Sequence, residues 1–220
     1  MSKGKIIAIV GGPRSGKSFL VGLLAKHYGG VAILEGEEQN FPERIREDIH
    51  KNIRPLERIT WFRNKLVREY FRALKIKQEG KIVVIDNFWV SYQLYIDALA
   101  KDFEGEIIHE LAEIDRQTIE WPDIVIFLSL SEKGIRDFIS RGGREFDRGE
   151  DFIQNQALPI HKLHMEFFNQ RDIKGKVISV SRDNLDFANK EDFQKLLELI
   201  ETYKPHTFEL FSTNTAPKKK

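Results

Sequence analysis

Gly11-Gly12-Pro13-Arg14-Ser15-Gly16-Lys17-Ser18 fits G-x-x-x-x-G-K-[ST], and the residues on either side supply the context that this pattern needs. Before it runs Lys5-Ile6-Ile7-Ala8-Ile9-Val10, a short apolar stretch rich in β-branched residues that reads as a buried strand. After it runs Phe19 to Lys26, which reads as a helix stopped by Gly29-Gly30. Strand, glycine-rich turn and helix together make a phosphate-binding loop. Its glycines let successive N–H groups turn inward on phosphate oxygens, and the helix N-terminus adds the positive end of its dipole. The reading assigns Gly11, Gly12, Pro13, Arg14, Ser15, Gly16, Lys17 and Ser18 to ATP or GTP. Lys17 serves the β- and γ-phosphates and the Ser18 hydroxyl serves Mg²⁺.

The chain outward from the loop alternates short apolar runs with helical patterns. Val31-Ala32-Ile33-Leu34 reads as a second strand, ending at Glu35, and Ile82-Val83-Val84-Ile85 as a third, ending at Asp86. Pro122-Asp123 opens a fourth over 124–128, and Val177-Ile178-Ser179-Val180 makes a fifth. Between them a surface helix is expected over 43–52 and a long helix from Pro55 to Gly80. The long helix repeats Ile59, Phe62, Leu66, Tyr70 and Leu74 at three- and four-residue spacing. Further helices are expected over 91–103, 107–119, after Ser131 as N-cap, after Pro159, and around Phe193, Leu196, Leu197 and Ile200. Strands that are apolar without alternation, separated by helices, predict an α/β domain: a five-stranded parallel sheet covered on both faces, with right-handed crossovers. One domain over 1–205 is expected, with 206–220 a polar, basic tail.

In such a sheet ligands bind at the carboxyl ends of the strands, beside the phosphate loop. Glu35 and Asp86 both stand there. Asp86 is placed to hold Mg²⁺ with Ser18, and Glu35 to accept a proton from an attacking hydroxyl. Either residue alone could equally be a polar strand end, and Glu37 and Glu38, further into the loop, are ranked behind Glu35. Arg141-Gly142-Gly143-Arg144-Glu145-Phe146-Asp147-Arg148-Gly149 combines forked donors suited to a transferring phosphoryl group with hinge glycines. It reads as a lid over about 141–150, with Arg141 and Arg144 closing on the phosphates. The alternative is a solvated charged loop.

Bulk properties exclude other classes. Among 220 residues, Lys plus Arg is 35 and Asp plus Glu is 34, so no global basic field points to nucleic acid or a membrane surface. There is no cysteine, which removes disulfides and thiolate metal sites and suits a cytoplasmic setting. Met1 to Gly4 lead directly into the first strand, with no room for a signal peptide, and no apolar run approaches the ~20 residues of a membrane span.

The order of these parts resembles the deoxyribonucleoside kinase family of phosphate-loop kinases. Leu34-Glu35 resembles the strand end where that family keeps its general base. Ile85-Asp86-Asn87-Phe88 stands in place of its acidic-Arg-Ser segment, 122–131 resembles its fourth strand and cap, and Arg141 to Glu145 resembles its lid. The resemblance implies a three-layer phosphate-loop (P-loop) kinase fold, ATP and Mg²⁺, and a small-molecule acceptor that is a nucleoside or nucleotide. It also implies a homodimer through the long helices, Glu145 on the sugar, and Asp183, in the Ser181 to Asn184 loop, near the ATP base. Two departures stand out. Asn87 and Phe88 replace the family's arginine and serine, and the base-reading glutamine is absent from the Trp61-Phe62-Arg63-Asn64 region. Asn64 could take over base recognition and Arg63 could bind an acid or phosphate. Trp61, Phe62, Phe88, Trp89 and Tyr92 are either an aromatic slot or core. The expected activity is transfer of the ATP γ-phosphate to a (deoxy)nucleoside 5′-hydroxyl. The alternatives are a nucleoside-monophosphate kinase, a kinase of another hydroxylated acceptor, or a nucleotide-gated binding protein with slow hydrolysis. The absence of a guanine-reading Asn-Lys-x-Asp weakens a GTP switch.

Overall fold

Alternation within the first strand sets the layers of the molecule. In a computed structural model, describing residues 4–36, 40–142, 149–170, 177–183, 185–202 and 209–211, Lys5–Gly11 forms β1. Its side chains point alternately to two faces. Ile7 and Ile9 join one apolar cluster with Leu20, Val21 and Leu24 of α1 (Lys17–Tyr28) and Leu196, Leu197 and Ile200 of α9 (Lys190–Thr202). Ile6, Ala8 and Val10 join another with Tyr70 and Ala73 of α3 (Pro55–Gln78) and Phe168 of α8 (Leu158–Phe168). Helices therefore cover both faces of the sheet, which is why its strands carry apolar residues at consecutive positions.

The remaining strands are β2 (Val31–Ile33), β3 (Ile82–Asp86), β4 (Ile124–Ser129), β5 (Val177–Ser181) and β6 (Glu209–Phe211). Their order is β2-β3-β1-β4-β5-β6, and every recorded pairing is parallel. The order reverses direction at β1, so the loop after β1 opens at the switch point where α/β sheets bind ligands. The expected five strands become six: β6 pairs with β5 in the register Ile178–Glu209, inside the stretch read as a polar tail.

Two helix boundaries also change. Residues 91–103 do not form one helix; a 3₁₀ turn over Trp89–Tyr95 is followed by the short α4 (Ile96–Leu99). Phe88 and Trp89 are fully buried and their edges meet Trp121, which fixes the chain in a tight turn before it can continue as an α-helix. The next helix, α5, starts earlier than expected, at Asp102, and runs to Thr118. After β4, Ser131 caps α6 (Glu132–Gly142), its Oγ accepting the Gly134 N–H at 3.0 Å. α7 (Glu150–Phe152) passes through a π turn, Ile153–Ala157, into α8. α2 (Glu43–Lys51) precedes α3. Among the described residues no helix is long and apolar enough to cross a membrane.

Candidate active site

The loop between β1 and α1 is built from backbone that ordinary side chains avoid. Arg14 (φ 64°) and Gly16 (φ 89°) are both left-handed, which turns successive amides inward. A Cβ on Gly11 would come within 2.7 Å of the Leu128 carbonyl oxygen and of Ser15 Oγ, so the loop closes only with glycine there. Ser15 is fully buried, and its Oγ has no partner among the described residues. Lys17 Nζ donates to the carbonyls of Gly11 (3.2 Å) and Gly12 (3.1 Å), holding its charge over the loop. Ser18 Oγ donates to Asp86 Oδ2 at 2.5 Å, joining the start of α1 to the end of β3.

Asp86 is 3 % exposed, and its Oδ1 has no hydrogen-bond partner among the described residues. Burial pushes this carboxyl above the ordinary range; Lys17 opposes the rise and Glu35 adds to it. A hydroxyl beside a buried carboxylate with one unsatisfied oxygen fits Mg²⁺, which is commonly held by one or two carboxylates together with substrate phosphates. Among the described residues no three His, Cys, Asp or Glu side chains gather into a separate metal cage.

Glu35 follows β2 and is held from two sides. Asn87 Nδ2 donates to Glu35 Oε2 at 3.1 Å, and Lys65 Nζ donates to the Glu35 main-chain carbonyl. Asn87 (φ 63°) sits in the left-handed region that asparagine tolerates, and its N–H donates to the Ile9 carbonyl at 2.9 Å. The turn after β3 thus aims an amide at Glu35. Burial lowers the Lys65 pKa, with Glu35, Glu69 and Asp86 opposing. Sequence reasoning missed Lys65. The signal available was its position beside Leu66, one step off the apolar stripe of α3.

Lys17, Ser18, Glu35 and Asp86 border one cavity of 580 Å³, which continues between aromatic side chains of α3 and the turn after β3. Pro13, Arg14, Gly16 and Arg141 also border it. Arg141 lies in the last turn of α6 and is exposed. Arg144 and Glu145, like Glu37 and Glu38, lie outside the described residues. On either side of residues 143–148, Arg136 of α6 meets Glu150 of α7 at 2.7 Å.

Four expected ligand contacts fall elsewhere. Arg63 forms a fork with Asp115 of α5, Nε to Oδ2 at 2.8 Å and Nη2 to Oδ1 at 2.6 Å, so its charge is spent on packing α3 against α5. Asn64 is exposed, its Oδ1 accepting from Arg63 Nη1. Phe88 is core, between Tyr70 and Trp121. Asp183 accepts the N–H of Ser131 at 2.9 Å and the Ser131 hydroxyl at 2.9 Å, completing the start of α6. Its neighbour Arg182 is the residue that reaches the phosphate loop: Nε donates to the Ser15 carbonyl at 3.4 Å, and the guanidinium lies 4.3 Å from the Phe187 ring centroid. Of the aromatic candidates, Phe62 and Tyr92 border the cavity, joined by Phe41 and Tyr95. Trp61 packs on Phe41 and Phe62 from outside, and Trp89 is core.

A family model described as an AAA domain matches residues 6–184. The chain belongs to that family. No curated protein matches this AAA-domain chain. Among solved structures, deoxyadenosine kinase from M. mycoides with bound dATP is similar at 17 % identity and TM-score 0.68, covering 90 % of this chain and 100 % of that one. The same kinase with dCMP and a flexible dCDP gives 18 % and 0.65 over the same shares of the two chains. Thymidylate kinase from Candida albicans gives 18 % and 0.66, covering 94 % of this chain and 95 % of that one. At these identities the likeness establishes a common fold: this AAA-domain protein has the three-layer α/β phosphate-loop fold of nucleoside and nucleotide kinases.

Proposed function

We propose that the protein transfers the γ-phosphate of ATP to the 5′-hydroxyl of a (deoxy)nucleoside. The observation that carries the reading is the continuity of one cavity. It runs from Lys17 and Ser18, past Glu35, into a slot lined by Phe41, Phe62, Tyr92 and Tyr95. A nucleotide switch needs the first part alone; a phosphotransferase needs an acceptor pocket opening on the phosphate loop with a proton acceptor between them. Deoxyadenosine kinase, whose fold this chain shares, acts by its name on a deoxynucleoside and lends support, whereas thymidylate kinase, of the same fold, acts by its name on a nucleoside monophosphate.

In this reading Gly11 to Ser18 cradle the triphosphate and Lys17 moves from the Gly11 and Gly12 carbonyls onto its oxygens. Ser18 and Asp86 hold Mg²⁺, which when bound neutralises phosphate charge. Glu35, oriented by Asn87, accepts the proton of the attacking hydroxyl, and Arg141 and Arg144 close from the lid. The transition state is largely dissociative, so positioning and electrostatics carry the rate. Arg63 is committed to Asp115, so its charge does not serve an acceptor phosphate. A screen of ADP release across nucleosides, nucleoside monophosphates and modified nucleosides tests the proposal. Stimulation by a nucleoside is expected. Slow hydrolysis that no acceptor stimulates would overturn it in favour of a nucleotide-gated binding protein.

A further inference from the structure

Arg58 is a buried charge that the proposed chemistry does not use. It lies in the first turn of α3, is 4 % exposed and borders the cavity. Its two recorded hydrogen bonds go to neutral acceptors, Nη1 to the Asp48 carbonyl at 3.1 Å and Nη2 to Asn52 Oδ1 at 3.1 Å. Arg54 Nε and Nη2 both donate to Oδ1 of the nearby Asp48 carboxylate, whose Oδ2 has no hydrogen-bond partner among the described residues and whose charge favours the Arg58 cation without a direct hydrogen bond to it. Among the described residues no carboxylate lies within ion-pair distance of Arg58. Burial presses the guanidinium pKa down, yet arginine stays protonated in proteins. The side chain therefore presents a desolvated cation, with donors beyond the two already used, at the wall of a slot lined largely by aromatic side chains.

Position along α3 says which part of an acceptor it meets. Lys65 touches Glu35 at the reacting end. Arg58 precedes Lys65 by seven residues, about 10 Å along the helix at a rise of ~1.5 Å per residue. Arg58, Ile59, Phe62 and Leu66 border the cavity along that length. A nucleoside whose 5′-hydroxyl sits at Glu35 would lay its base between Phe41, Phe62, Tyr92 and Tyr95, with the far edge of the base towards Arg58.

We propose that Arg58 is the base-reading residue. It donates to a keto oxygen on the edge of the nucleobase remote from the reacting hydroxyl, so the protein selects nucleosides that carry a keto group on that edge over those that lack one there. This rests on the nucleoside reading above and deepens it. A neutral, planar keto acceptor suits the site because it satisfies the spare donors while its ring fills the aromatic slot.

Two nucleoside pairs that differ at the keto group test it: 2′-deoxyinosine against 2′-deoxynebularine, and 2′-deoxyuridine against its 4-deoxy analogue. Each is titrated calorimetrically into the full chain. A hydrogen bond to a charged donor predicts that wild type prefers the keto member by roughly tenfold or more in Kd. Arg58→Met should bring that ratio close to one, and Arg58→Lys, which keeps a charged donor, should retain part of it. A ratio near one in wild type, or a preference that survives Arg58→Met, overturns the inference. Should Arg58→Met fail to fold, because Arg58 also anchors the turn between α2 and α3, the wild-type ratio and Arg58→Lys decide. Equal binding of both members sinks this inference alone. Binding of ATP with none of the four nucleosides sinks the nucleoside reading and this inference with it.

Discussion

Replacing Glu35 by glutamine separates chemistry from architecture, because neither contact that holds the residue needs its charge. Lys65 donates to the backbone carbonyl, which the substitution leaves alone. Asn87 Nδ2 donates to Oε2, and a glutamine still offers an acceptor oxygen at that point. The side chain keeps its size and place and loses only the capacity to take a proton. General-base assistance is worth roughly 10²–10⁴-fold, about 3–5 kcal/mol of barrier, and that is the expected fall in kcat for Glu35→Gln. The ground state should move little and in the other direction. Glu35 is one of the causes that raise the Asp86 carboxyl, so neutralising it makes Asp86 easier to ionise and leaves its metal-holding form at least as populated. Initial rates of ADP release against acceptor concentration, with the ATP Kd measured separately, check both halves. Near wild-type kcat in a folded Glu35→Gln protein would refute the assignment and turn attention to Glu37 and Glu38. A parallel loss of ATP binding would instead move Glu35 into the metal shell.

Lys17→Ala should lower turnover by roughly 10²-fold or more, as loss of a preorganised electrostatic donor does, while a circular-dichroism melt stays close to wild type. The two bonds it gives up go to loop carbonyls that nucleotide or water can serve. Asp86→Asn should change the Mg²⁺ dependence of activity more than acceptor affinity, and at neutral pH it should raise the melting temperature. Burial lifts the Asp86 pKa, so stability is greatest with the group protonated and is lost as pH rises through the folded-state value; the amide removes that loss. His164 offers the opposite sign. It is packed against Phe127 and Phe168, its Nδ1–H donates to the Ile160 carbonyl at 2.8 Å, and burial holds its pKa down at about 3. Its contribution is complete above its ordinary pKa and falls as pH drops, by about 2 kcal/mol at pH ~5. Urea denaturation at pH ~8 and at pH ~5 should show that loss in wild type and a smaller one in His164→Gln.

What could be read from the sequence were features whose cause is local. The phosphate loop is legible because its glycines, lysine and serine must be adjacent in the chain for a strand-turn-helix to cradle phosphate. Glu35 and Asp86 are legible because an apolar run ending in a carboxylate places that carboxylate at a strand end; the bond between Ser18 and Asp86 then follows from β1 and β3 being neighbours. The acceptor half of the cavity has no such local signature. Whether Arg63 reads a ligand or locks a helix is decided by Asp115, which lies on α5 and reaches it only in the folded protein. Whether Phe88 or Phe41 faces the slot is decided by Trp121 and Phe62 respectively, again through contacts between separate elements. The same dependence makes Arg58 informative. An arginine near a helix start reads in sequence as a solvated charge. It gains meaning only when α2 folds back to bury it, ties one oxygen of the Asp48 carboxylate to Arg54, and leaves the guanidinium at a cavity with hydrogen bonds to neutral acceptors alone. The partners of Arg58 come from α2 and from the cavity wall, and that combination is a property of tertiary structure that no spacing along the chain can encode.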